Sequence, residues 1–387
     1  MNILFLYGGV IDPQRGGVQR VTANLADYFD SKGHTVYYLS LFDEGEEKHP
    51  ARQVMLPNDR SFDTEENHSF FSLFIKEKEI DVVVDQGAQG PQTTPLVKIA
   101  KKAGCKVFGV HHNAPLAKIL NFSTSFKNRT PRLLRPLLRI TDMAFCKRFI
   151  LSIYKKKYGQ HFTSYCQVCD KLVLLSKGFI PEILFFTNGK YEDKITSITN
   201  PVPAVESDAP DIKQKELLYV GRINSEQKRV DLLLQIWEKL HQTNPDWKLS
   251  IVGGGVELEE LKLLAEKLKL RNISFEGFQH PKEYYQRASI FCMTSTYEGY
   301  PMVLPEAMQC GTIPFAFNSY AAVTDIIDDG ENGVLVTPFS IDEYVNKLQQ
   351  LMNDESRRIA MSKKAIEKAE EFSVDRIGEK WLKMMAR

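Results

Sequence analysis

Residues 217–252, LLYVGRINSEQKRVDLLLQIWEKLHQTNPDWKLSIV, contain a complete strand–helix–strand unit. Leu217–Val220 is a short apolar run that ends at a glycine, which is typical of a buried strand. Val230–Leu240 repeats its apolar residues at the spacing of an amphipathic helix, and Lys248–Val252 is a second apolar run. Two such runs joined by a helix predict parallel strands with a crossover helix.

The same alternation runs through the rest of the chain. Further strands are predicted at Ile3–Tyr7, Val36–Ser40, Val82–Asp85, Val107–His111, Lys171–Leu175, Ile273–Phe275, Ile290–Thr294 and Ile313–Ala316. Helices are predicted at Gly17–Ser31, Leu96–Ala103, Glu257–Leu268, Pro281–Arg287, Val303–Met308, Thr324–Asp328, 340–352, 355–371 and from about 374. The fold class is therefore α/β, with two Rossmann-like, doubly wound domains that are expected to face a central cleft.

A proline-rich break separates the two halves. Residues 200–203 read Asn-Pro-Val-Pro and are followed by a polar stretch, which is typical of an exposed linker. The break predicts an N-terminal domain over residues 1–200 and a C-terminal domain over 201–372.

The composition of the chain indicates its cellular compartment but does not indicate a binding partner. Lys plus Arg (50) nearly balances Asp plus Glu (49), and no window is apolar enough to span a membrane. The apolar N-terminus is interpreted as a buried strand rather than a secretion signal, and the six cysteines as free thiols, which favours the cytoplasm. Cys166 and Cys169 form a CxxC, but no second pair completes a zinc set.

Residues 296–311, TYEGYPMVLPEAMQCG, carry two carboxylates. Glu298 follows the end of a predicted strand, where open parallel sheets bind their ligands, and Glu306 lies in the next helix. Gly299 permits an unusual backbone turn, and the amides from Tyr300 to Leu304 open the helix and can face an anion.

Several phrases around this pair occur together in one known family. Gly221-Arg222 follows a strand, Lys228-Arg229 begins a helix, and the phrases IVGGG (251–255), FEGF (275–278) and DGENG (329–333) follow in order. With the carboxylates they resemble the retaining GT-B glycosyltransferases of family 4, of the bacterial surface-polysaccharide type.

The resemblance implies a role for each of these residues. Glu306 would accept hydrogen bonds from the ribose hydroxyls of a nucleotide diphosphate sugar, and Glu298 would hold hydroxyls of the transferred sugar. Arg222 and Lys228 would bind the diphosphate, for which a planar fork of donors and a point charge are both suited. The other donor-binding candidates are Gly16, Gly17, Gly221, Gly277, Phe278, Gly299, Tyr300, Pro301, Met302, Val303 and Leu304. A closing helix over 373–387 would pack back on the N-terminal domain.

The N-terminal half supplies two further candidates. Gly16 and Gly17 open the first helix, where free amides can approach an anion, and the family's first loop lies near the donor phosphates. His111 and His112 end a predicted strand, and the family has a histidine at this strand end near the reacting sugar. The match slips by one residue, so both remain candidates.

The resemblance also implies the reaction. A hexose, commonly from a uridine diphosphate sugar, would be transferred with retention, without a nucleophile from the protein, a metal ion or a cofactor. Alternatives are a nucleotide-sugar epimerase on the same architecture and a non-catalytic nucleotide-sugar-binding subunit. A nicotinamide dehydrogenase is disfavoured because the first loop lacks GxGxxG.

A basic and apolar stretch lies between residues 118 and 157. It contains one acid, Asp142, and eleven Lys or Arg, at positions 118, 127, 129, 132, 135, 139, 147, 148, 155, 156 and 157. Apolar residues are interleaved with them, which favours docking on an anionic membrane over a plain solvated surface. Nucleic acid is not favoured as a partner because no recognition motif accompanies the charge. Docking at the inner face of the cell membrane suggests a lipid-linked saccharide acceptor, as in capsule or lipopolysaccharide biosynthesis.

Overall fold

The computed structural model describes residues 1–42, 51–122, 130, 134, 137–138, 140–141, 143–205 and 213–386. These residues form two compact units. The first comprises Met1–Leu116, Arg148–Pro201 and Val374–Arg387, and the second comprises Ala117–Lys147 and Val202–Ser373. Of the predicted basic stretch, Lys127, Arg129, Arg132, Arg135, Arg139 and Asp142, with the side chain of Lys118, lie outside the described part.

The first part of the chain builds a seven-stranded parallel sheet. Its strands are β1 Asn2–Gly9, β2 Thr35–Phe42, β3 Gln53–Met55, β4 Val82–Asp85, β5 Lys106–His111, β6 Lys171–Leu174 and β7 Ile195–Ser197, in the order β3-β2-β1-β4-β5-β6-β7. Its helices are α1 Gly17–Ser31, α2 Glu65–Glu77, α3 Thr94–Lys102, α4 Ala117–Leu120, α5 Ala144–Val168 and α6 Ile180–Thr187. Ile3–Leu6 of β1 are fully buried, as expected for a central strand covered on both faces.

The second part builds a six-stranded parallel sheet. Its strands are β8 Gln214–Val220, β9 Lys248–Val252, β10 Ile273–Gly277, β11 Ala288–Met293, β12 Ile313–Phe317 and β13 Val334–Val336, in the order β10-β9-β8-β11-β12-β13. Its helices are α7 Val230–Leu240, α8 Leu258–Lys267, α9 Lys282–Arg287, α10 Val303–Gln309, α11 Val323–Ile326, α12 Ile341–Asn353 and α13 Glu355–Ala369. Trp237 on α7 and Tyr344 on α12 are among its largest fully buried side chains.

The last helix, α14 Val374–Ala386, belongs to the first unit. The ring of Trp381 packs edge-on against Phe108 of β5, with 6.4 Å between centroids. A Cβ on Gly378 would stand 2.2 Å from the ring of Tyr28 on α1, so glycine allows α14 to approach α1 closely. The chain therefore leaves the first unit for a second time after Pro201 and returns to it at Val374.

The predicted fold class is confirmed: both sheets are parallel and lie in doubly wound α/β arrangements. In each sheet the order of connection reverses at one strand, at β1 in the first and at β8 in the second. The prediction missed β3, β7 and β13, each of which has three residues, because such short runs carry little periodicity. The described residues between 117 and 147, predicted within the N-terminal domain, group with the second unit.

Candidate active site

The carboxyl ends of β8 and β11 are adjacent, because these two strands pair in parallel. Gly221 and Arg222 follow β8, and Thr294–Glu298 follow β11. Since the order of connection reverses at β8, this is the position at which open α/β sheets bind ligands. Two of the phrases singled out in the sequence therefore meet where a ligand site is expected.

Glycines allow the loops to cross closely at this edge. A Cβ on Gly253 would stand 2.0 Å from the carbonyl oxygen of Gly221, and one on Gly255 would stand 2.1 Å from that of Ile223. The φ angle of Gly253 is 137°, which residues with a side chain rarely adopt. The Ile223 N–H donates to the Gly254 carbonyl at 2.8 Å. The glycine triplet thus serves the close contact between the loops after β8 and β9.

Glu298 is the best-held side chain of the candidate site. Its Oε1 accepts a hydrogen bond from Lys228 Nζ at 2.7 Å, and its Oε2 accepts one from Gln227 Nε2 at 2.9 Å. The side chains of Glu298 and Lys228 are only 7% and 16% exposed. A carboxylate taken this far out of water needs donors for both oxygens, and two consecutive residues of one loop supply them.

The loop that carries Lys228 is itself fixed to the end of β11. The Thr296 N–H donates to the main-chain carbonyl of Gln227 at 2.7 Å. The Thr294 hydroxyl donates to the main-chain carbonyl of Arg229 at 2.9 Å. The Thr296 hydroxyl is buried and bonds to no residue that the structure describes. The two loops therefore form one pre-organised unit, with a buried hydroxyl still available to a ligand.

Glu306 is held in a different way. It is 6% exposed on α10, and its Oε2 accepts the hydroxyl of Tyr285 at 3.1 Å. Tyr285 is buried on α9, with 1% exposure. The second carboxylate of the pair thus has a neutral donor from a neighbouring helix.

The turn before α10 differs from the expectation. Met302 N–H donates to the carbonyl of Tyr300 and Leu304 N–H to that of Pro301, each at 3.0 Å. These two amides, predicted to face an anion, are instead used inside the turn, because the tight turn brings carbonyls into reach. Val303 begins α10, and the turn begins after Gly299.

The remaining candidates of the second unit are less enclosed. Arg222 is exposed, and its guanidinium bonds to no residue that the structure describes, whereas its carbonyl accepts the Tyr219 hydroxyl at 2.9 Å. Gly277 accepts the N–H of Gly253 at 2.7 Å, and Phe278 is 92% exposed. The structure therefore brings Lys228 and Glu298 into contact and leaves the Arg222 side chain in solvent.

Gly16 and Gly17 lie at the start of α1 in the first unit. Gly16 has an extended backbone, which any residue can adopt, and no described atom would lie within 4 Å of a Cβ on Gly17. A Cβ on Gly16 would stand 2.9 Å from Gln19 Oε1, a contact that this flexible side chain can relieve by moving, so the fold itself requires neither glycine.

His111 is the last residue of β5, His112 follows it, and both are buried. Desolvation lowers the pKa of His111 to about 4 and that of His112 to about 3. His112 Nε2 contacts Gln86 Oε1 at 2.5 Å, whereas His111 Nδ1 is buried without a hydrogen-bond partner among the described residues. Both rings are therefore neutral near pH 7.

A buried carboxyl that the sequence analysis missed supports this strand edge. Asp85, at the end of β4, accepts the hydroxyls of Tyr165 at 2.6 Å and Thr93 at 2.7 Å, and the Gly87 N–H at 2.8 Å. Burial raises the pKa of Asp85. Since Tyr165 belongs to α5, this network ties α5 to the loop after β4.

The CxxC pair is part of the packing. Cys166 and Cys169 are both buried and free. In the described ranges, no group of three or more His, Cys, Asp or Glu is arranged to hold a metal ion.

Solved structures with the same fold fit the chain along nearly its whole length. TarM superposes with a TM-score of 0.72 at 16% identity, covering 100% of this chain and 99% of that chain. Anabaena HepE in complex with UDP and glucose superposes with a TM-score of 0.73 at 15% identity, covering 99% of each chain. The fold is GT-B.

Two family models define the family. The model described as Glycosyltransferase Family 4 matches residues 15–151, and the model described as Glycosyl transferases group 1 matches residues 205–368. Together the two models match most of the chain, so the predicted resemblance to the glycosyltransferases of family 4 is confirmed.

Curated relatives share parts of the chain. An uncharacterized glycosyltransferase of Haemophilus influenzae is 34% identical over 216 residues, 55% of this chain and 60% of that protein. The lipopolysaccharide 1,6-galactosyltransferase of Salmonella typhimurium is 27% identical, over 61% of this chain and 70% of that protein. An α-1,4-N-acetyl-D-galactosaminyltransferase of Campylobacter jejuni is 26% identical, over 82% of this chain and 78% of that protein. The name of that enzyme gives an undecaprenol-linked substrate.

Proposed function

We propose that the protein is a retaining glycosyltransferase that moves a hexose from a nucleotide diphosphate sugar, with UDP the leading nucleotide, to a saccharide acceptor in bacterial surface-polysaccharide or lipopolysaccharide assembly. The observation that carries the proposal is the buried contact of Glu298 with Lys228 and Gln227 at the ligand-binding edge of the second sheet. HepE, which has the same fold, is solved with UDP and glucose, and two relatives are named for lipopolysaccharide or undecaprenol-linked substrates.

Four side chains would bind different parts of the donor. Glu306 accepts the ribose hydroxyls and Glu298 accepts hydroxyls of the sugar. Lys228 and Arg222 bind the diphosphate, and the exposed Arg222 side chain has the freedom to reach it. The buried hydroxyl of Thr296 adds a group able to bond to the donor.

Positive charge of the protein beside the leaving diphosphate would lower the barrier of the reaction. As the bond to the sugar breaks, negative charge grows on the diphosphate, and fixed cations stabilise that charge most in a water-poor site. In the retaining route we propose, the leaving phosphate takes the acceptor's proton on the same face of the sugar. The transfer then needs neither a protein nucleophile nor a metal ion, because Lys228 and Arg222 supply the charge.

The first unit would contribute uncharged groups. Neutral His111 and His112 can donate or accept hydrogen bonds without adding charge. Gly16 and Gly17 leave the start of α1 open to an anionic group, and the fold does not itself require glycine there.

The test is a titration of the protein with UDP, GDP and ADP, followed by a transfer assay with the matching nucleotide sugar. Lys228→Met is expected to lower kcat by about a hundredfold, since it removes one charge that stabilises the transition state. Glu306→Ala is expected to weaken nucleotide binding. Lys239→Met, on the exposed face of α7, is the control and should change neither. Full activity of Lys228→Met would contradict the proposal, and net isomerisation of the nucleotide sugar without acceptor would identify an epimerase.

The acceptor side would dock on an anionic membrane through α5. Phe145, Phe149 and Ile153 are 81%, 63% and 51% exposed and recur every four residues, so they form one apolar stripe. Arg148, Lys156 and Lys157 are exposed beside it. None of the helices that the structure describes is long and apolar enough to cross a membrane. An apolar stripe with flanking cations suits the surface of an anionic bilayer, and a lipid-linked acceptor would be reached there.

Vesicle flotation tests the docking. The protein is expected to float with phosphatidylglycerol-containing vesicles at low salt and to be released by high salt. Phe145→Ser with Phe149→Ser should abolish flotation, whereas Leu263→Ser, at a similarly exposed site on α8, should not. Equal flotation of the α5 double variant and the Leu263→Ser variant would contradict the proposal that α5 docks on the membrane.

A further inference from the structure

The two oxygens of Glu298 are held by donors of different charge. Oε1 is bound by the ammonium of Lys228 at 2.7 Å, and Oε2 by the neutral amide of Gln227 at 2.9 Å. Under the proposed function, on which this inference rests, Lys228 also has to bind the donor's diphosphate. The three N–H groups of Lys228 could be shared between Glu298 and the diphosphate, but its single positive charge would then have to stabilise both anions.

Gln227 is much less able to move than Lys228. Its Nε2 donates to the Tyr297 carbonyl at 3.2 Å as well as to Glu298, so both amide hydrogens are used. Its main-chain carbonyl accepts the Thr296 N–H at 2.7 Å, and its N–H donates to Asn224 Oδ1 at 3.2 Å. Lys228, by contrast, reaches Glu298 through a flexible four-carbon stem.

We propose that Gln227 is a positioning residue, which holds Glu298 in place while the charge of Lys228 is drawn from Glu298 to the diphosphate. A buried carboxylate that loses its cation is destabilised, and a hydrogen bond from a fixed neutral donor offsets part of that loss. The hydroxyls of the donor's sugar offset the rest, because they donate to Glu298. The complete donor is thereby favoured over the free nucleoside diphosphate, which is the product.

The probe is UDP, titrated by calorimetry. Glu298→Gln removes the anion that competes for Lys228, so UDP binding is expected to tighten by roughly tenfold. Gln227→Met cannot donate a hydrogen bond, so Lys228 leaves Glu298 less readily and UDP binding should weaken by roughly fivefold. In the Glu298→Gln background, Gln227→Met should have no effect on UDP affinity, because Gln227 acts through the carboxylate.

Two controls separate this inference from the proposed function. Glu306→Gln changes the carboxylate proposed to accept the ribose hydroxyls, which does not contact Lys228 in the structure, so it should not tighten UDP binding. Gln214→Met makes the same substitution at an exposed position at the start of β8 and should change nothing. A wild-type protein that binds none of UDP, GDP and ADP would remove the proposed function and this inference with it.

If wild-type protein binds UDP, two results overturn the inference alone. One is unchanged or weaker UDP binding by Glu298→Gln. The other is an equal loss from Gln227→Met in both backgrounds, which would mean that Gln227 only supports the loop. The Glu298→Gln titration tests the competition for Lys228 even if Gln227→Met does not fold.

Discussion

Single residues show where the sequence was informative and where geometry was needed. The phrases that resemble family 4 singled out Glu298 after a strand, Lys228 before α7 and Glu306 within α10. Gln227 and Tyr285 were missed, since a neutral side chain beside a lysine, or one 21 residues away on another helix, has no sequence signature. The contact between Gln227 and Glu298 became visible only once the two loops were in place.

The buried histidines predict how stability responds to acid. The pKa of His111 is about 4 in the folded protein, below the ordinary 6.5, so its neutral form favours folding above pH 6.5. This contribution is lost as pH falls from 6.5 towards 4, because the unfolded chain takes up the proton first. At pH 5 the loss is about 2 kcal/mol. His111→Phe is expected to flatten the fall in Tm between pH 7 and pH 5. Parallel curves for the two proteins would contradict the assignment.

At the scale of secondary-structure elements, the central strands were predicted well and most of the edge strands were missed. The central strands β1, β4, β8 and β11 each contain an uninterrupted apolar run of three or more residues, as expected for a parallel sheet covered on both faces. Edge strands β3, β7 and β13 were missed because three residues give no period. The glycine triplet after β9 matched a family phrase, but its physical reason, contact with the neighbouring loop, required coordinates.

The close contact of the glycine triplet 253–255 with the loop after β8 leads to a prediction, and one glycine of the triplet serves as its control. Gly255→Ala would place a Cβ 2.1 Å from the Ile223 carbonyl oxygen, whereas nothing lies within 4 Å of a Cβ on Gly254. Gly255→Ala is therefore expected to lower the stability of the second unit by about 1–3 kcal/mol, as overpacking does. Gly254→Ala should have little effect. Urea denaturation of both variants measures the difference, and equal midpoints would mean that the loops separate freely.

At the scale of the whole molecule, the first unit is not continuous in sequence. Its last helix comes from residues that follow the entire second unit, which the break at 200–203 alone could not reveal. By contrast, Lys228, Glu298 and Glu306 all lie in the second unit. These three proposed donor-binding side chains therefore lie in a different part of the chain from α14, which belongs to the first unit.

Trp381→Ala separates these two properties. Trp381 is 3% exposed and packs against Phe108, so its truncation is expected to destabilise the first unit by about 3–5 kcal/mol. UDP affinity should be largely retained, because the four side chains proposed to bind the donor, Arg222, Lys228, Glu298 and Glu306, lie in the second unit. Sugar transfer is expected to be lost at temperatures where the first unit unfolds. Calorimetric unfolding with UDP titration measures both. Lys383→Ala, on an exposed turn of the same helix, is the control and should leave Tm and transfer unchanged. Loss of UDP binding together with the first unit would show that the second unit depends on α14 for its fold.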